Sequence, residues 1–256
     1  MLIVGHRGAR GEAPENTLGG FRHLASLGVR AVEFDIQLSG DRIPVVIHDD
    51  RVDRTTQAHG PLADFDAGAL AALDTAHHRL YPDPATPGRD IPWPRPEGIP
   101  PLSDVLTLLA DFSHLQLEVK SRRPEDCERL LEILPALWRP FGRRATVTSF
   151  NQDFLTQIGH RHPEIPRGLL METDGDADTM ISRAVALGCR LLGPHFSLCT
   201  PERVREAHAL GLHVTTWTVN SPEDMLRMRD IGVDSLITDV PSLALKILDP
   251  RQAGPE

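Results

Sequence analysis

Cysteine is scarce. Only Cys127, Cys189 and Cys199 occur in 256 residues, scattered and without a CxxC pair. So small and odd a set argues against a disulfide framework and a thiolate zinc site; the three are expected to be packing residues in a reducing compartment. Long apolar runs are also missing. Leu2-Ile3-Val4 gives way at once to polar residues, too short for the ~7–15-residue apolar core of a signal peptide or the ~20 residues of a membrane span. A cytoplasmic protein without stable membrane association is the expectation. Nor is there a surplus of positive charge: 27 Lys and Arg stand against 36 Asp and Glu, net −9. That balance argues against a nucleic-acid or anionic-membrane partner and leaves room for a divalent cation. With 40% hydrophobic and 25% charged residues, a disordered chain, a collagen-like repeat and a coiled coil are excluded.

What is present is an alternation of short β-branched runs and helix-spaced segments, the signature of βα units around a parallel sheet. The predicted strands are Leu2–Gly5, Ala31–Ile36, Leu115–Val119, Ala145–Ser149, Gly168–Met171, Arg190–Gly193, His213–Val219 and Ser235–Thr238. Eight strands in a chain of this length predict a (β/α)8 TIM barrel, although the length alone would also hold two domains. A ninth run, Pro44–Ile47, follows the second strand too closely for a helical crossover and must return as a β-hairpin. A turn near Gly40 would set His48 beside Glu33. Thr17, Thr200-Pro201 and Ser221-Pro222 predict helix starts, and Gly28, Gly211 and Gly232 predict helix ends. Between Leu80 and Pro101 stand eight prolines with Tyr81 and Trp93 among them, which exclude a regular helix there. A surface excursion and a lid or side wall over the barrel mouth both remain open. The expected organisation is one barrel domain over residues 1–249, a Pro-rich insertion at about 50–101, and a frayed tail over 250–256.

Barrel active sites form where the parallel strands end. Gly5-His6-Arg7-Gly8 closes the first strand, and Glu33 and Asp35 share one face of the second. His48-Asp49 ends the hairpin, Glu118 and Lys120 share a face of the next barrel strand, and a late strand carries Trp217 and runs to Asn220. Three carboxylates from adjacent strands repel one another unless something neutralises them. A hard divalent cation, Mg2+ or Ca2+, suits an all-oxygen set, whereas pairing with Arg7 and Lys120 is the plainer alternative. His6 and His48 flank the same set and could serve as general acid and base. The other histidines, among them His59, His77, His78, His160 and His162, read as solvated. Arg7 and Lys120 suit an anionic, phosphoryl-bearing substrate.

These residues resemble those of the glycerophosphodiester phosphodiesterases. The matching segments run in order: His6-Arg7-Gly8, Pro14-Glu15-Asn16-Thr17, Glu33-Phe34-Asp35, Val45-Val46-Ile47-His48-Asp49, Asp53-Arg54-Thr55-Thr56, Ile99-Pro100-Pro101-Leu102, Leu117-Glu118-Val119-Lys120, Ser149-Phe150, Trp217-Thr218-Val219-Asn220 and Ile237-Thr238-Asp239. The resemblance implies a barrel hydrolase that splits a small-molecule glycerophosphodiester into sn-glycerol 3-phosphate and an alcohol with a divalent metal. It implies Glu33, Asp35 and Glu118 as metal ligands, His6 and His48 as the acid–base pair, and Arg7 and Lys120 on phosphate oxygens. Asn16 is expected at the metal or phosphate edge and Trp217 as a wall against glycerol. Gln116 stands where the family commonly has Asn, and His195 has no counterpart in the pattern; it would either touch the leaving alcohol or cap its loop. Two other readings stay in view: a lysophospholipase D with an apolar groove built from Tyr81, Trp93, Phe150 and Phe196, and a non-catalytic phosphodiester-binding module. The oligomeric state, with a homodimer among the options, is left open.

Overall fold

Side chains alternate strictly along the second strand, and that alternation decides the architecture. Val32, Phe34 and Ile36 join a fully buried apolar layer against the helices, while Glu33, Asp35 and Gln37 occupy the opposite face. A strand buried on both faces must belong to the middle of a layered fold. A computed structural model describes residues 1–76, 79–83, 85–86 and 88–248. Its strands are β1 (Leu2–His6), β2 (Ala31–Leu38), β3 (Pro44–Val46), β4 (Leu80–Pro82), β5 (Asp90–Pro92), β6 (His114–Val119), β7 (Ala145–Ser149), β8 (Arg167–Met171), β9 (Leu191–Pro194), β10 (His213–Thr216) and β11 (Ser235–Thr238). The helices are α1 (Leu18–Ser26), α2 (Ala67–Ala71), α3 (Leu102–Leu108), α4 (Pro124–Trp138), α5 (Gln152–Arg161), α6 (Met180–Ala186), α7 (Pro201–Ala209), α8 (Pro222–Ile231) and α9 (Pro241–Leu248).

Eight parallel strands close on themselves in the order β1-β2-β6-β7-β8-β9-β10-β11 and back to β1, with helices between them: the expected TIM barrel. Thr17, Thr200 and Ser221 cap α1, α7 and α8, each accepting a backbone N–H from the first turn. Gly28, Gly211 and Gly232 follow those helices with positive φ, a conformation that costs glycine nothing. All three cysteines are buried and free. Among the described residues no helix is long and apolar enough to cross a membrane.

Two expectations change in detail. The β2–β3 hairpin pairs Ile36 with Val46 and Leu38 with Pro44, and the Ile47 N–H donates to Asp35 O. The register is therefore one to two residues on from the predicted one, because the turn is centred on Asp41 and the positive-φ Arg42 instead of Gly40. β10 ends at Thr216, short of Val219. Past it only an isolated bridge continues, between Trp217 and His195, with the Trp217 indole donating to Gly193 O at 2.8 Å.

The insertion is structured. Val45, Ile47, Val52, Leu62, Leu70 and Ile99 form a satellite core of their own, and the proline-rich part contains the small antiparallel pair β4–β5. Trp93 packs edge-on against Tyr81 and against His23 of α1, and the buried Glu97 carboxylate accepts the Gly19 N–H of α1 and the Trp93 indole N–H. The excursion is thus fastened along α1 as a side wall. His77, His78, Pro84, Pro87 and the expected tail over 250–256 lie outside the described residues.

Candidate active site

Strand register assembles the site. β1 pairs with β2 so that His6 lies beside Glu33, and β2 pairs with β6 so that Asp35 lies beside Glu118. Residues distant in sequence meet at the mouth because three neighbouring strands end at the same level. One oxygen each from Glu33, Asp35 and Glu118 lies within 4.8 Å of the others, and all three side chains are buried. Burial, then the charges of Asp35 and Glu118, pushes the Glu33 carboxyl well above its usual range. Burial likewise pushes Glu118 up to about 7, against the pull of Lys120. Burial also raises Asp35, but Arg7 and Lys120 outweigh it and hold that carboxyl below its ordinary value.

Cations surround the acids without satisfying them. Arg7 Nε lies 3.1 Å from Asp35, and Lys120 Nζ lies 3.3 Å from Asp35 and 2.7 Å from Glu118. Close as these pairs are, they are poorly directed: Glu33 Oε1, Asp35 Oδ1 and Glu118 Oε1 are buried and accept no well-formed hydrogen bond. Among the described residues Glu33 Oε1 is left with no partner at all, and Lys120 alone approaches Asp35 Oδ1 and Glu118 Oε1. So under-neutralised a set of buried carboxylates is costly in a protein interior and fits a hard, oxygen-seeking cation. Asn16 donates to the other Asp35 oxygen at 2.8 Å, from a positive-φ backbone, and its own N–H is bound by Arg7 O. Arg7 shares the positive φ; strain of this kind concentrates where a loop must aim side chains.

Each histidine is held at the same nitrogen. His6 Nδ1 sits 2.5 Å from Asp239 Oδ1 and His48 Nδ1 sits 2.6 Å from Asp49 Oδ1. His6 Nε2 is 3.9 Å from Glu33, and burial, partly offset by Asp239, lowers its affinity for a proton. Asp239 in turn accepts from Asn220. Asp49 is shared with Arg54, which also reaches Glu15 at 2.8 and 2.9 Å. Glu15 further accepts from Arg7 and Arg10, so one buried carboxylate ties the loop after β1 to the loop that carries His48.

Glu15 is the keystone of that tie. Burial raises its carboxyl, but Arg54 and Arg7 outweigh burial and hold it well below the usual range. A depressed folded value stabilises the protein above the unfolded value of 4.5 and the benefit fades as pH falls below it. Glu15→Gln should cost about 3 kcal/mol at pH 7, the low end for breaking a buried pair. The gap to wild type should narrow in urea titrations at pH 4 and below, and a gap independent of pH would show that charge is not what Glu15 supplies.

A cavity of about 240 Å3 opens over the cluster, lined by His6, Arg7, Glu33, His48, Glu118 and Lys120, with Phe150 and Trp217 as apolar walls. Of the residues singled out from sequence, Asp35 and Asn16 lie beneath this surface and the rest border it. Tyr81 and Trp93 are not part of it, and Phe196 is turned toward Arg227 and His195. His195 caps the 196–198 turn through Ser197 and touches the edge of Trp217, the loop-capping alternative. Gln116 lies fully buried in the barrel interior, donating to His114 and Thr215. Glu15, Asp49, Arg54 and Asp239 belong to the matching sequence segments, but their roles emerge only from these contacts. The acid after His48 is a local signal; Asp239 follows a strand end, but nothing in the sequence pairs it with His6, 233 residues away.

Comparison with known proteins follows the same lines. The family model described as the glycerophosphoryl diester phosphodiesterase family matches residues 6–243. A glycerophosphodiester phosphodiesterase of Caldanaerobacter subterraneus is 32% identical, over 99% of each chain. A crystal structure from Silicibacter pomeroyi superposes with a TM-score of 0.84 at 31% identity, covering 98% of this chain and 94% of that one. A phosphodiesterase of Oleispira antarctica, solved in complex with the product sn-glycerol-3-phosphate, gives 0.78 at 27% identity over 97% of each. With a barrel, a mouth and a family model that agree over nearly the whole length, this chain belongs to the glycerophosphoryl diester phosphodiesterase family.

Proposed function

We propose that this chain hydrolyses glycerophosphodiesters to sn-glycerol 3-phosphate and an alcohol, with a divalent cation held by Glu33, Asp35 and Glu118, and that one barrel domain carries the whole reaction. The observation that carries the reading is the set of three buried carboxylates whose oxygens converge within 4.8 Å, with Lys120 as the one cation on two of those oxygens and, among the described residues, nothing on Glu33 Oε1, flanked by two histidines anchored at Nδ1. Mg2+ and Ca2+ both suit such donors. When bound, the cation would supply Lewis-acid polarisation of a phosphoryl oxygen.

The remaining work falls to the chain itself. Lys120 and Arg7 would draw the phosphate oxygens to the acid cluster. Trp217 would form the flat wall against glycerol. One histidine takes the proton of the attacking hydroxyl as its oxygen bonds to phosphorus, while the other gives a proton to the alkoxide as the phosphorus–oxygen bond to the alcohol breaks. The attacking hydroxyl is that of water, or first that of glycerol, through a cyclic phosphate that water then opens. The separation of Tyr81 and Trp93 from the cavity removes support for a lysolipid groove, and the full complement of acids and histidines leaves no mark of a binding-only module.

Phosphorus-31 NMR tests this directly. Incubation with glycerophosphocholine, glycerophosphoethanolamine and lysophosphatidylcholine, each with Mg2+, Ca2+ or EDTA, should show a glycerol phosphate signal from the first two that EDTA abolishes. A cyclic phosphate would appear as a separate transient resonance. Turnover of the lysolipid alone, or of nothing, would overturn the proposal.

A further inference from the structure

Two charged side chains at the mouth stand without partners. Arg122, two residues past Lys120, and Glu172, just past β8, make no hydrogen bond and no ion pair among the described residues, yet both line a second cavity of about 230 Å3. His48, Glu118 and Lys120 form the inner end of this cavity, and Phe150 and Asn151 lie along its wall. It shares His48, Glu118, Lys120, Phe150 and Glu172 with the cavity that holds His6 and Trp217. The two spaces therefore diverge from one acid cluster.

A phosphodiester has two arms, and the mouth has two branches. With phosphate at the acids and glycerol against Trp217, the other arm runs past His48 into the second cavity. We infer that this second cavity is the subsite of the departing alcohol, and that Glu172 and Arg122 select an alcohol bearing both an ammonium and a carboxylate group. This rests on the function proposed above. A hydroxy amino acid of the size of serine is the smallest such alcohol, and a space of this volume is below the ~300–1,000 Å3 of pockets that take drug-sized ligands. Complementarity of sign does the selecting: a zwitterion meets both charges, an amino alcohol such as ethanolamine meets only Glu172, and a neutral polyol meets neither. Glu172 also acts on His195, whose Nδ1 is already engaged by Ser197. Arg122 and Asn151 both line this cavity, and the acids Asp50, Asp126 and Asp153, which border adjoining grooves with Arg122, form no ion pair with it.

The test compares glycerophosphoserine, glycerophosphoethanolamine and glycerophosphoglycerol by kcat/KM in the metal-loaded wild type and in Glu172→Gln and Arg122→Gln. Both positions are exposed, so the variants keep the fold. Wild type should favour the serine diester over the other two by roughly 3–10-fold, the size expected of partly exposed charge-assisted contacts. Arg122→Gln should erase the advantage of serine over ethanolamine, and Glu172→Gln should lower both relative to the glycerol diester. An unselective wild type, or variants that move all three substrates by one factor, would overturn the inference while leaving the hydrolase reading intact. If no diester is turned over, it is the hydrolase reading that falls; the order of binding of the same three diesters, read from ligand line broadening, then still decides the subsite.

Discussion

His6→Ala and His48→Ala should each lower kcat by roughly 10²–10⁴-fold while the far-ultraviolet spectrum and melting temperature stay close to wild type. The size follows from what each ring can do that its surroundings cannot. Asp239 and Asp49 occupy the Nδ1 positions, fixing each ring's orientation and leaving Nε2 for the substrate's proton. No water-bridged substitute has that fixed geometry. The two variants should differ in one respect. The His48 side chain is 33% exposed and that of His6 12%, so added imidazole should restore part of the lost rate in His48→Ala and much less in His6→Ala. Near-wild-type rates in either variant would remove that histidine from the reaction.

Glu118→Gln should act in opposite directions on metal affinity and on stability. As a proposed direct ligand it should weaken binding of Mg2+ or Ca2+ by at least the 10–100-fold that changes behind a metal's ligands cost. Calorimetric titration of the stripped protein measures this, and an unchanged isotherm would show that Glu118 is not a ligand. Without metal the same substitution should stabilise. The Glu118 carboxyl is raised from 4.5 to about 7 by burial, so its charge opposes folding increasingly as pH climbs from 4.5 to 7, and the penalty is complete at pH 8. A neutral amide escapes it and leaves Lys120 its contact with Asp35. The metal-free variant should therefore be more stable than metal-free wild type at pH 8, by on the order of 1–3 kcal/mol, and the difference should vanish at pH 5. A variant less stable at both values would mean that the Lys120 pair outweighs burial.

Much of this was legible in the sequence because periodicity carries it. Glu33 and Asp35, and Glu118 and Lys120, sit two apart in runs of β-branched and aromatic residues, so a common face and a common mouth follow from strand geometry alone. Helix limits were legible for the same reason: Thr17, Thr200 and Ser221 are caps by chemistry, and each accepts the N–H its position predicts. What stayed hidden depends on contacts between distant segments. Nothing near His6 announces Asp239, which reaches it only because β11 closes the barrel against β1. The hub at Glu15 needs Arg54 from another loop. A turn placed at Gly40 predicts a shifted hairpin register, because it is Arg42 that takes the positive φ and Asp41 that is bound by Ser39. Spacing alone also gave no sign that the proline-rich excursion would be pinned to α1 by Glu97 instead of covering the mouth.

The alternation of β2 has a further meaning. Phe34 packs into the helical layer against Phe21 while its neighbours Glu33 and Asp35 supply the acid cluster. A slip of a single residue in the pairing of this strand would turn every one of these side chains over, driving carboxylates into the apolar layer and benzyl groups into the mouth. No intermediate alignment is half right. Chemistry and correct threading are thus inseparable in this chain: a molecule that turns over substrate has, by that fact, its second strand in register, and activity recovered after denaturation counts correctly paired barrels one by one.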